Sequence, residues 1–249
     1  MYRYFIYFSY DGAAYHGWQI QPNAITVQQV MEEALAKLMR VPVPLVGAGR
    51  TDAGVNASCM VAHADFPNEI DVQQLIYKLN KILPPDIAVS NIRRVKDDAH
   101  ARFDAVSRRY NYRVITAKSP FARRYACRVM PGVDFELMNR AAEILYEYTD
   151  FTSFSKLHTD VKTNNCKVTF AQWRQTGENE WLFEIEADRF LRNMVRAIVG
   201  TLLLVGRGKI TIDGFRSIIE KKERGEAGDS AMGEALFLAA VKYPEDIFL

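Results

Sequence analysis

The sequence predicts an α+β protein of two lobes, each an antiparallel sheet with helices on one face and the other face free. Two observations carry this expectation. Strand-like and helix-like patterns follow one another as β-α-β-β-α-β, and the same order returns in the second half of the chain. That order is the ferredoxin-like unit, matched here by pattern and not by residue identity between the halves. At 249 residues, 49% hydrophobic and 25% charged, the chain has the length and composition for two modest cores. The expected lobes are residues 1–105 and 106–249, with the boundary inside Ala99 to Ser107.

Tyr2 to Ser9 is rich in aromatics and reads as a strand. Tyr10 to Ile25, with Asp11-Gly12 and Pro22-Asn23, is a long loop carrying Tyr15, His16, Trp18 and Gln19. Thr26-Val27-Gln28-Gln29 is a capping box. It opens a helix whose apolar residues Val27, Val30, Met31, Ala34, Leu35 and Leu38 keep helical spacing until Pro42. A glycine-rich stretch leads into a strand over Ala57 to Phe66. Asp71 and Gln74 start a second helix through Leu75, Ile76, Leu79 and Ile82, which Pro84-Pro85 stops. Ile87 to Val95 is the next strand.

In the second half, Arg108 to Thr116 is a strand and Asp134 caps a helix through Leu137, Met138, Ala141, Ala142 and Leu145. Asn165 to Gln175 and Trp181 to Ala187 are strands joined by a hairpin turn at Gly177-Glu178-Asn179. Phe190 to Val205 reads as a strongly apolar helix ended by Gly206-Arg207-Gly208. A short helix over Ile212 to Lys222 and a strand over Ala235 to Tyr243 follow. Gly225 to Gly228 is the expected flexible loop.

Composition excludes several classes. No apolar run reaches about eighteen residues, and the first residues lack the layout of a signal peptide, so a cytoplasmic protein without membrane contact is expected. Cys59, Cys127 and Cys166 are widely spaced, as are His16, His63, His100 and His158, which argues against a disulfide framework or a structural zinc. The net charge is only +2, but it is segregated. Between Arg102 and Arg128, eight basic residues face one acid, Asp104. From Arg189 to Lys209 there are five basic residues and no acid. Such segregation suits either a polyanionic partner or a solvated face.

The stretch with the most chemistry is Gly47-Ala48-Gly49-Arg50-Thr51-Asp52-Ala53-Gly54-Val55. In extended backbone, residues two apart share a side, so Arg50 and Asp52 are expected to face one cavity as an ion pair. Taken alone, the pattern also fits a surface turn with an incidental salt bridge. No second acid stands near Asp52, as glycoside hydrolysis would need, and no Gly-Lys-Ser/Thr opens a helix after the loop. What remains is a lone carboxylate kept ionised by a guanidinium, able to act as nucleophile or electrostatic stabiliser. Further on, Tyr110 and Tyr112 share one strand face, as stacking surface or as core. Arg192 and Arg196 are expected on one face of the apolar helix, where a charge needs a carboxylate or phosphate.

These residues resemble the tRNA pseudouridine synthase A family. The resemblance rests on Gly49-Arg50-Thr51-Asp52-Ala53-Gly54-Val55, Tyr10-Asp11-Gly12 and Tyr15-His16-Gly17-Trp18-Gln19. It continues through His100-Ala101-Arg102-Phe103, Arg109-Tyr110-Asn111-Tyr112, Asp150-Phe151-Thr152-Ser153-Phe154 and Met194-Val195-Arg196-Ala197-Ile198-Val199-Gly200, and runs in order from Tyr4 to about Tyr243. It implies the pseudouridine synthase fold and an isomerase that turns uridine into pseudouridine in the tRNA anticodon stem-loop, at positions 38, 39 and 40. It also implies a homodimer and no cofactor or metal. By the same resemblance Asp52 is the catalytic nucleophile, Arg50 its partner, Tyr110 the residue stacking on the target base, and Arg196 a second basic residue of the site. The chain departs from the family at Asn56, where His is usual, at Lys162-Thr163-Asn164, where an Arg-Thr pair is commoner, and over Met232 to Leu238.

Overall fold

The computed structural model describes residues 1–156 and 163–249, so His158 and Lys162 lie outside the described residues. It is a mixed α/β fold whose strands pair almost wholly antiparallel. Two compact units emerge, Met1–Ser107 with Leu238–Leu249, and Arg108–Phe237. No helix among the described residues is long and apolar enough to cross a membrane.

The first unit runs β1 (Tyr2–Tyr10), α1 (Val27–Met39), β2 (Val46–Gly47), β3 (Asn56–Phe66), α2 (Val72–Ile82) and β4 (Ile87–Arg94). The central β1 pairs with β3 through Tyr4↔Ala64 and Ile6↔Ala62, and with β4 through Ile6↔Ile92. β2 adds to β3 through Val46↔His63. Alternation along β1 and β3 gives the sheet two apolar faces. Ile6, Phe8, Met60 and Ala62 are buried, as are Met31 and Leu35 of α1 and Leu79 of α2. On the other side, Phe5 meets Tyr243 edge-on at 4.8 Å and Phe248 at 6.2 Å. Burying each such large side chain stabilises by roughly 1.5–3 kcal/mol.

The second unit contains β5 (Ser107–Ile115), β6 (Cys127–Arg128), α3 (Phe135–Glu143), β7 (Val168–Gly177), β8 (Glu180–Ala187), α4 (Met194–Gly206) and α5 (Ile212–Lys221). β8 is the middle of an antiparallel set, pairing Tyr112↔Phe183 with β5 and Trp173↔Phe183 with β7. Trp173 and Phe183 stack at 4.9 Å, and Phe135 of α3 lies flat on Trp181 at 3.9 Å. The chain's last strand, β9 (Leu236–Lys242), lies beside β3, and residues from Leu238 onward belong to the first unit.

The expected caps are in place. Thr26 Oγ1 accepts from Gln29 N at 3.4 Å, Asp71 Oδ1 from Gln74 N at 3.0 Å, and Asp134 Oδ1 from Leu137 N at 2.8 Å. One helix boundary differs. The apolar run expected as helix from Phe190 becomes helical only at Met194, because Asn193 takes a left-handed φ of 68°. Asparagine tolerates that region, and its Nδ2 donates to Ser230 Oγ at 2.6 Å. Arg192 therefore precedes α4 and does not share a helix face with Arg196.

The stretch expected to be a flexible loop, Gly225 to Gly228, is instead tied to α4. Gly228 N donates to Thr201 Oγ1 at 3.0 Å, and Arg224 Nη1 donates to the Gly228 carbonyl at 3.2 Å.

Candidate active site

Asp52 opens a tight turn. The Val55 amide donates to the Asp52 carbonyl at 3.2 Å, and Gly54 carries the positive φ of 75° that such a turn needs. Thr51 points inward, where its Oγ1 hydrogen-bonds the Tyr10 hydroxyl at 2.8 Å, while Asp52 is half-buried and Arg50 exposed. The alternation expected of extended backbone thus holds over residues 50–52. The expected ion pair does not: Arg50 forms no ion pair among the described residues. An exposed guanidinium gains little from pairing with a half-buried carboxylate and loses side-chain entropy in holding it.

What holds the Asp52 turn is the long loop after β1. Trp18 N donates to the Thr51 carbonyl at 3.4 Å, and Gly54 N to the Tyr15 carbonyl at 3.3 Å. Asn56, 1% exposed, accepts from Gly12 N at 2.8 Å through Oδ1, so the residue standing in place of the family's usual His is a strut between the loops. Glycine is required where the loops touch. A Cβ on Gly12 would overlap the Val55 carbonyl oxygen, and one on Gly17, at φ 87°, the Thr51 carbonyl oxygen. Gly47 lies against the Trp18 indole, whereas Gly49 has open space around it. Tyr15 is anchored in turn, its hydroxyl donating to Asp86 Oδ1 at 2.6 Å.

In the second unit, Tyr110 lies on β5 opposite Ile185 of β8, and its ring meets Phe190 edge-on at 5.2 Å. Tyr112, on the same strand face, is fully buried, whereas Tyr110 is only half-buried. Tyr112 is therefore core, whereas Tyr110 is not fully buried. Burial drives the Tyr112 phenol far above its ordinary pKa, and the nearby charge of Arg196 opposes that rise. Arg196 therefore sits close to the strand that carries both tyrosines.

Arg196 is aimed by backbone. Its Nε donates to the Ala231 carbonyl at 2.7 Å, and the Ala231 amide returns a bond to the Arg196 carbonyl at 3.0 Å. Segment 228–231 can cross α4 so closely because Gly200 has no side chain: a Cβ there would overlap the Asp229 carbonyl oxygen. Sequence reasoning overlooked this brace, although a glycine within an otherwise apolar helix is its signal. It also missed the pair of Arg109 with the buried Glu186 at 2.7 Å, which only the β5–β8 register brings opposite. Asn164 Nδ2 donates to Thr152 Oγ1 at 3.0 Å, tying the divergent Thr163-Asn164 stretch to the Asp150–Phe154 motif.

The fold and these two clusters define an α/β protein with a braced acidic turn in one unit and a tyrosine–arginine neighbourhood in the other. A family model described as tRNA pseudouridine synthase matches residues 6–104 and 141–244. The tRNA pseudouridine synthase A of Bacteroides thetaiotaomicron is 60% identical over 250 residues, covering 100% of this chain and 93% of that protein. The protein of the same name from Parabacteroides distasonis is 61% identical over 249 residues, covering 100% and 98%. That of Bacillus subtilis is 41% identical over 239 residues, covering 94% and 96%. The chain belongs to the tRNA pseudouridine synthase family, a family of isomerases.

Proposed function

We propose that the protein isomerises uridine to pseudouridine in the anticodon stem-loop of tRNA, at positions 38–40, with Asp52 as the nucleophile. In this reaction the C1′–N1 bond breaks and the uracil turns while it is held. C1′ then bonds to C5, the C5 proton leaves, and N1 gains a proton, so the product is an isomer and no cofactor is consumed. The target base must first leave its stack. Tyr110 offers it a ring face, Arg196 and the exposed Arg50 contact the RNA backbone or base, and the enzyme acts as a homodimer in the cytoplasm, where its substrate is. We read each unit as one ferredoxin-like lobe. The strand order β4-β1-β3, with β2 beyond β3, supports that reading in the first unit.

One observation carries the assignment of Asp52: the chain spends two close-approach glycines, a buried threonine and a buried asparagine on fixing the turn this carboxylate opens. Such bracing is what nucleophilic or electrostatic catalysis needs, because a preorganised group requires little rearrangement at the moment of reaction. The test is tritium release from tRNA labelled at uracil C5. Wild type is expected to release tritium with no free uracil, and Asp52→Ala to bind tRNA without turnover. Release of free uracil would assign an N-glycosidase, and recovery of unchanged RNA from wild type would leave a binding protein. Light scattering that showed an active monomer would overturn the homodimer.

A further inference from the structure

Between β4 and β5 the chain presents a phenylalanine to solvent on a closely braced loop. Phe103 is 74% exposed, yet its ring lies over the His100 imidazole at 4.2 Å and 34°. His100 rests in turn edge-on against the buried His63 at 4.7 Å. The backbone beneath is pinned throughout. His100 Nδ1 accepts from the amides of Arg102 at 3.1 Å and Phe103 at 3.4 Å, while the His100 amide donates to Asp104 Oδ2 at 2.7 Å. His63 Nδ1 accepts from Ala101 N at 3.1 Å, and the Tyr243 hydroxyl donates to the Ala101 carbonyl at 2.6 Å. Tyr77 and Phe121 are also exposed aromatics, but neither has a ring stacked beneath it among the described residues.

A large apolar ring held rigid in water gives up the burial that would stabilise it, and its fixed pose lowers the entropy cost of a flat ligand landing on it. The Arg102 guanidinium lies 5.7 Å from the ring centroid, so a cation stands beside the exposed ring. Ring face and adjacent cation together form the chemistry that holds unpaired nucleic acid, a base stacking on the aromatic while the cation attracts the phosphate. A protein partner fits less well. A single ring supplies about 150–250 Å², whereas a stable interface needs about 800 Å² from each side, and Arg102 and Asp104 flank this ring.

We propose that Phe103 is a stacking platform for an unpaired base of the tRNA substrate, separate from the residue that receives the target uridine. The proposal rests on the tRNA reading above and names a further contact for that substrate. It is tested by measuring tRNA affinity for wild type, Phe103→Ala, Phe103→Leu and Phe103→Trp, with melting temperature as a check on folding. Loss of one stacking contact is expected to weaken binding about ten-fold in both the Ala and Leu variants. The Trp variant stays within about two-fold of wild type, and its added fluorescence is quenched by tRNA.

Equal affinity of the Ala variant and wild type overturns the proposal. So does full affinity of the Leu variant, since apolar bulk would then suffice, or a change of oligomeric state on Phe103→Ala, which would assign the ring to a protein contact. A wild type that releases no tritium defeats the functional reading instead, and the affinity series still reports on Phe103.

Discussion

The hydroxyls of Tyr10 and Thr51 share a buried hydrogen bond of 2.8 Å, and that bond ties the end of β1 to the residue immediately before Asp52. Tyr10→Phe and Thr51→Val each remove this hydrogen bond and are expected to cost about 0.5–1.5 kcal/mol in urea unfolding. The double exchange is expected to cost less than the sum, with a coupling of about 0.5–3 kcal/mol. Turnover should fall in both single variants, because the turn that Asp52 opens loses its inward anchor.

The glycines of the two loops separate by what surrounds them. Gly17→Ala combines a left-handed backbone with an overlap against the Thr51 carbonyl, and Gly12→Ala meets the Val55 carbonyl. Both are expected to lose most activity and to destabilise by more than about 1 kcal/mol. Gly49→Ala, in open space, is expected to stay within about 0.5 kcal/mol of wild type. Thermal melts paired with tritium release read both effects.

Gly200→Ala tests the brace behind Arg196. The added methyl displaces the 229–231 backbone that accepts the Arg196 Nε bond, so activity should drop although the guanidinium remains. Arg196→Ala is expected to lower kcat/KM by about 100-fold, the scale of one lost electrostatic contact in a preorganised site. Arg192→Ala, preceding the helix and exposed, should change it by no more than a few-fold. Steady-state kinetics on tRNA distinguishes the three.

Stability should fall in mild acid through His63. Burial first, then the positive charge of Arg3, holds its imidazole down to about 4 from an ordinary 6.5. Between those values the unfolded chain binds the proton and the folded chain does not, so acidification favours unfolding. The effect is absent above about pH 6.5, grows as pH falls towards 4, and reaches on the order of 2–3 kcal/mol. His63→Gln should flatten the dependence of urea midpoint on pH across that window.

Much of the fold was legible because its signals are local. Thr26, Asp71 and Asp134 were readable as caps because a side-chain oxygen satisfies an amide only three residues away. The helical spacing of Val27, Met31, Ala34 and Leu35 marked the face of α1 that is buried. Asn193 defeated the helix boundary because apolar periodicity carries no record of one left-handed residue. The two-residue strands β2 and β6 escaped notice because pairs so short exist only by virtue of their neighbours.

At the candidate site the division is similar. The residues Arg50, Thr51 and Asp52 and their alternation were readable from the chain, as were the glycines around them. The roles of those glycines were not: Gly54 serves a turn, Gly12 and Gly17 admit another loop, and a Cβ added at Gly49 would meet nothing within 4 Å. Nor could sequence alone replace the expected Arg50–Asp52 pair with the Tyr10–Thr51 and Gly12–Asn56 bonds that hold the turn.

By itself, then, the sequence determined the kinds of element, their order, and which side chains could carry chemistry. Tertiary structure decided which backbones approach closely enough to require a glycine, that the last strand lies beside β3, and that Ala231 aims Arg196. The physical reason is range. Periodicity and capping act within one turn of helix or one pleat of strand, whereas the contacts that brace the Asp52 turn and aim Arg196 join residues tens of positions apart.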